Sequence, residues 1–236
     1  MNVAPCFPWP KLDLVDALAR ALAGFEAALR LEQAVHGLDE WPETRLQGAL
    51  AEALAQAHEV EREVHYPSAT ARKRSARARC DFVLRARGIV KQSRLRTECP
   101  SHPGEETRST EAGNRLIPSL RGAELVPEDA LWLELKVARQ RTTGGAVDPR
   151  YGEQWRRHLI ADLRKLSADP RIRDAAIALV AFTEDEAQLA RDLDGFERLM
   201  IRRDVVAGFR QVRTLPIVER IGHRVCGVAV WPTVQS

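Results

Sequence analysis

Residues 130–138 read ALWLELKVA, and the way this stretch folds decides how the rest of the chain is arranged. An apolar run of this length, entered through "VPEDA", reads as the middle of a buried β-strand. Side chains alternate across a strand, so Leu131, Leu133, Leu135 and Val137 point one way while Trp132, Glu134 and Lys136 point the other. The first set faces a core. The second set carries a carboxylate and an ammonium into apolar surroundings, where an unpaired charge is costly.

By count alone the tripeptide means nothing, because chance supplies about 0.7 acid-x-Lys matches in a chain of this composition. Its setting gives it weight. Only five of the 36 basic residues are Lys, and Lys is a compact charge whose protonation can be tuned, whereas Arg stays charged. Upstream, "RCDFVLRA" at residues 79–86 is a second strand with an oddly placed acid, Asp81, at its start. Strands that follow each other in sequence usually lie side by side, so Asp81 and Glu134 are expected to converge. Two carboxylates on adjacent strands suit Mg²⁺ or Mn²⁺, hard cations that take oxygen ligands. A buried Asp/Glu/Lys ion-pair cluster that only satisfies itself accounts for the same residues equally well.

Further out, "HEVEREVHYP" is the first strand of a three-strand meander. Before it, apolar positions at helical spacing predict a helix over residues 11–36, ended by Gly37, and another over about 42–57. Glu43 lies on the apolar line of that second helix, one turn before Leu46. Residues 91–129 show little periodicity and read as a long mobile loop. Beyond the opening strand, "YGEQWRRHLIADLRKL" is helical and "DAAIALVAFTED" is a strand buried on both faces. "DLDGFERLMIRRDV" is a further helix, and "RQVRTLPIVERI" with "RVCGVAVWP" forms a terminal hairpin or edge pair. One α/β domain covering all 236 residues is the economical assignment.

Composition narrows the function classes. With 44% hydrophobic and 29% charged residues, the chain is neither a disordered tail nor a membrane protein. Its opening residues lack the basic start and apolar centre of a signal peptide, so a cytoplasmic location without membrane association is expected. Cys6, Cys80, Cys99 and Cys226 are few and scattered, which fits reduced thiols better than a disulfide framework. The net charge is +3, but the residues from Arg62 to Arg96 hold eleven Lys or Arg against Glu63 and Asp81. That field attracts phosphates, with Arg72, Lys73 and Arg74 on the turn and Arg77 and Arg79 leading into Asp81. A solvated basic surface is the plainer explanation of the same run.

An acid on a helix, an Asp on the second strand, Glu-x-Lys on the third, then a helix and a strand resemble the PD-(D/E)XK nuclease superfamily over about residues 42–182. The resemblance implies a restriction-endonuclease-like core: a mixed central sheet flanked by helices in αβββαβ order. An extra N-terminal helix and C-terminal strands would be added to it. It also implies a metal-dependent endo- or exonuclease acting on nucleic acid, with DNA favoured, and a homodimer where both strands are cut. Asp81 and Glu134 would bind the metal with the Leu135 carbonyl, Glu43 would complete the site, and Lys136 would assist the attacking water. Tyr151 and Gln154 resemble a Gln and Tyr that one branch carries on the following helix, here in reversed order. Cys80 stands where the family often has proline. A nuclease-fold module that binds DNA or a protein partner without cutting is the alternative.

Overall fold

The structure, a computed structural model, describes residues 11–68, 78–87 and 130–234. The expected loop at 91–129, and with it Arg72, Lys73, Arg74 and Arg77, lies outside the described residues. The elements are helix α1 (Lys11–Leu31), α2 (Glu43–Leu54), strands β1 (His58–His65), β2 (Arg79–Ala86) and β3 (Leu131–Arg139), helix α3 (Tyr151–Ser167), β4 (Asp174–Thr183), α4 (Glu186–Arg202), and strands β5 (Gln211–Pro216) and β6 (Val225–Pro232). The described residues thus form a mixed α/β fold with one six-stranded sheet flanked by helices.

The strand order is β1-β2-β3-β4-β6-β5. The first three strands form the antiparallel meander, β3 pairs parallel with β4 across α3, and β6 pairs antiparallel with β4. All ten residues of β4 are buried, as a strand covered on both faces requires. The C-terminal hairpin does form, but of its two strands only β5 lies at an edge of the sheet, and β6 lies inside it against β4.

The alternation read from ALWLELKVA organises the two faces. Leu131, Leu133 and Leu135 join Phe82, Leu84, Ala176, Ala178 and Val180 in one core beneath α1 and α2, and Val137 packs against it. Trp132 and Ala138 join Val83, Ile177, Leu179 and Trp231 in the other, beneath α3 and α4. In that second face Gly227 of β6 leaves the space that the Leu189 side chain of α4 fills, and a Cβ there would overlap it.

The largest departures from the sequence expectation are the end of α1 and the start of α4, while α2 stops at Leu54 and α4 at Arg202, each three residues early. α1 stops at Leu31, not His36, because Gln33 takes a left-handed φ of 51°. That turn lets the Ala34 N–H reach the Leu29 carbonyl at 2.9 Å and the Gln33 N–H reach that of Arg30 at 3.1 Å, a C-cap made without glycine. Gly37 instead starts a 3-10 turn at Leu38–Glu40. α4 begins at Glu186, not near Asp192, because the Asp185 carboxylate caps it by accepting the Gln188 N–H at 2.6 Å.

Cys80 and Cys226 are buried free thiols. None of the described helices is long and apolar enough to cross a membrane.

Candidate active site at a fork between two strands

β2 and β3 pair through only three positions, Phe82 with Leu133, Val83 with Trp132 and Leu84 with Leu131. The next pair in register would be Asp81 with Glu134. There the ladder gives way to a side chain: Asp81 Oδ2 accepts the Leu135 N–H at 2.8 Å. An extended residue presents its N–H and C=O on the same edge, so the Leu135 carbonyl also faces the β2 side.

Lys136 lies among three carboxylates. Its Nζ is 3.6 Å from Asp81 Oδ2, 3.7 Å from Glu134 Oε2 and 3.5 Å from Asp162 Oδ2. A second ammonium, Lys165 Nζ, donates to Glu134 Oε1 at 2.8 Å and to Asp162 Oδ1 at 3.0 Å. The Tyr66 hydroxyl donates to the same Oε1. Glu134 is only 2% exposed, while the Lys136 side chain keeps 22% of its surface open. The group is therefore a buried carboxylate at the base of a partly open charged cluster.

The electrostatics follow from this packing. Burial and the neighbouring Asp81 charge raise the Glu134 pKa, against the pull of Lys165 and the hydrogen bonds from Lys165 and Tyr66. Burial alone would lower the Lys136 pKa, but the Asp81, Asp162 and Glu134 charges together outweigh it and the net shift is upward. Lys165 behaves alike, with burial opposed and exceeded by Glu134 and Asp162. Both lysines accordingly stay cationic at neutral pH.

Glu43 opens α2, half-buried. Burial raises its pKa, with Lys136 and Arg139 pulling the other way and Asp162 and Glu134 adding to the rise, so its charge interacts with this cluster. Arg139, near the end of β3, sets its approach by donating to the Asp39 carbonyl at 2.5 Å and to the Trp41 carbonyl, two residues before Glu43. Arg79 is exposed where β2 begins, opposite His65.

Tyr151 and Gln154 are not brought to the cluster. Because β3 and β4 are parallel, α3 must return antiparallel to both, and its second half is what passes Glu134. Asp162 lies about 16 Å further along the helix than Tyr151. Tyr151 packs near Trp155, ring centroids 6.3 Å apart, and its hydroxyl pKa is raised by burial and by Asp192 of α4. Gln154 is exposed. The residues that sequence reasoning did not assign to the site are Asp162, Lys165 and Tyr66. Asp162 and Lys165 share one flank of α3 with Gln154 and His158, and helical spacing alone does not say which turn of that flank meets the strands.

As arranged here, no group of three or more His, Cys, Asp or Glu among the described residues stands ready to hold a metal ion. The lysines supply the compensating charge. The donor chemistry nevertheless fits a hard divalent cation: Asp81, Glu134 and the Leu135 carbonyl offer only oxygen, and Asp162 Oδ2 is buried without accepting a hydrogen bond. No protein-family model, curated protein or solved structure matches the chain.

Proposed function

We propose that the chain is a divalent-metal-dependent nuclease of the PD-(D/E)XK type, hydrolysing phosphodiester bonds of nucleic acid, with DNA the favoured substrate. The observation that carries this reading is the meeting of Asp81 and Glu134 around Lys136, at 3.6 and 3.7 Å, where β2 and β3 fork in an αβββαβ run of elements. The restriction-endonuclease-like assignment of the core belongs to the same proposal.

In this reading Asp81, Glu134 and the Leu135 carbonyl hold Mg²⁺ or Mn²⁺, with Glu43 near enough in charge to assist. The ion supplies a bound water of lowered pKa and polarises a phosphoryl oxygen. Lys136, beside the carboxylates, orients the attacking water or neutralises developing charge on a phosphoryl oxygen. The basic residues ahead of Asp81 supply contacts to the phosphate backbone.

The test is cleavage of supercoiled plasmid with Mg²⁺ or Mn²⁺. Nicking or linearisation that EDTA stops, and that is lost in Asp81→Ala and Lys136→Ala proteins of unchanged fold, is the expected result. Cleavage that persists in both variants would sink the assignment. A linear duplex cut only from its ends would make the enzyme an exonuclease.

One observation favours a second reading. Asp81, Glu134 and Asp162 are each within 4 Å of an ammonium, which is how a nuclease-fold module that binds DNA or a protein partner without cutting would keep its charges. DNA retention with no cleavage at any Mn²⁺ concentration would establish it.

A further inference from the structure

Glu134 is the most buried member of the cluster, and its two oxygens are not equivalent. Oε1 accepts from the Tyr66 hydroxyl and from Lys165 Nζ, whereas Oε2 faces Lys136 Nζ at 3.7 Å. Tyr66 comes from outside the fork, one residue past β1, and is itself 6% exposed. Its ring is held between Trp132, 5.9 Å away between centroids, and the Lys165 ammonium, 4.6 Å above it. The phenol therefore has little freedom to swing away. A carboxylate pinned on one oxygen by two donors cannot rotate to offer the other.

We propose that Tyr66 is a positioning residue of this site: with Lys165 on the same oxygen, it fixes Oε1 of Glu134 and leaves Oε2 as the oxygen that Glu134 presents toward Asp81 and Lys136. The inference rests on the metal-dependent reading above. Partners that hold a ligating carboxylate typically govern metal affinity by 10–100-fold, although they never touch the ion. Tyr66 is preferable to Lys165 as the probe, because removing the phenol changes hydrogen bonding without changing charge.

Two measurements on the full chain test it. In calorimetric titration with Mn²⁺ alone, Tyr66→Phe is expected to weaken binding about tenfold or more. In a Glu134→Gln background the same change should have no further effect. A purely structural tyrosine would lower the melting temperature and leave Mn²⁺ affinity within twofold of wild type, which would overturn the proposal. The second measurement needs no substitution at residue 66. The chain has two tyrosines, so 3-fluorotyrosine labelling gives two ¹⁹F resonances, assigned by Tyr151→Phe. Mg²⁺ should move the residue 66 resonance and leave that of residue 151 in place. Mg²⁺ binding seen by calorimetry with a motionless residue 66 resonance overturns the role of Tyr66 alone. Wild-type protein that binds neither ion overturns the metal reading, and the role of Tyr66 with it.

Discussion

Two buried polar groups lie along β3, and they are built on opposite principles. Beyond its C-terminal end, His223 and Asp39 are both 0% exposed and joined by a 2.9 Å contact from Nδ1 to Oδ2. His223 Nε2 accepts the Arg141 N–H at 2.9 Å, which leaves the imidazole proton on Nδ1 and makes it the donor to Asp39. This knot ties the turn before α2 to the segment before β6 and the chain leaving β3. Around Lys136, by contrast, contacts to three carboxylates are 3.5–3.7 Å, longer than the roughly 2.7–2.9 Å of a charge-assisted hydrogen bond. A fastener is built from short bonds. A cluster with more carboxylates than ammoniums, held at arm's length, retains charge that a ligand can use.

The sharpest way to break this contrast is to remove one partner of the carboxylates from each group. Lys136→Met should reduce plasmid cleavage by about 10²–10³-fold, the usual loss when a donor to developing negative charge is deleted. Its urea midpoint should fall, because the carboxylates that raise the Lys136 pKa lose their counter-charge, but by less than that of His223→Ala, since no short hydrogen bond is lost. His223→Ala should do the reverse: a loss of about 2–3 kcal/mol in urea unfolding, from the buried Asp39 carboxylate left without its donor, with cleavage per folded molecule unchanged. If His223→Ala unfolds no more easily than Lys136→Met, the knot is not a fastener and the contrast fails.

The two groups also differ in how far the sequence revealed them. β1, β2 and β3 could be read with their ends nearly in place, because each is a short run with its own period. The meeting of Asp81 with Glu134 and Lys136 followed from neighbouring strands alone. Tyr66, Asp162 and Lys165 needed more, namely the direction in which α3 returns and the place where the chain leaves β1. The knot was beyond reach: Asp39 and His223 are 184 residues apart, and only the insertion of β6 beside β4 brings them together. That insertion has no local signal. A near-continuous apolar string such as VCGVAVWP reports burial on both faces, but not which strand lies alongside. The start of α4 was legible in hindsight, since Asp185 and Gln188 have the spacing of an N-cap pattern.

A finer comparison lies within the cluster, between its two lysines. Lys165 makes true hydrogen bonds at 2.8 and 3.0 Å, whereas Lys136 makes none as short, so the structural share of the cluster should reside in Lys165. Lys165→Met is expected to destabilise by about 1–2 kcal/mol, reduced from the usual value for charged hydrogen bonds because a third of the side chain is exposed. Urea unfolding of both variants without metal checks this, and equal losses would erase the division of labour.

The smallest effect belongs to Glu43, whose carboxyl pKa is raised mainly by burial. A carboxyl with a raised folded pKa binds its proton more tightly in the folded state, so stability falls as pH rises from the unfolded value of 4.5 through the folded one. Glu43→Gln removes that slope. Its unfolding midpoint should match or exceed that of wild type at pH 8 by less than about 1 kcal/mol, and the advantage should disappear toward pH 4. An advantage that instead grew on acidification would mean that Glu43 is held by a partner in its charged form. Glu43 would then belong with the short-bonded fastener and not with the charge left available around Lys136.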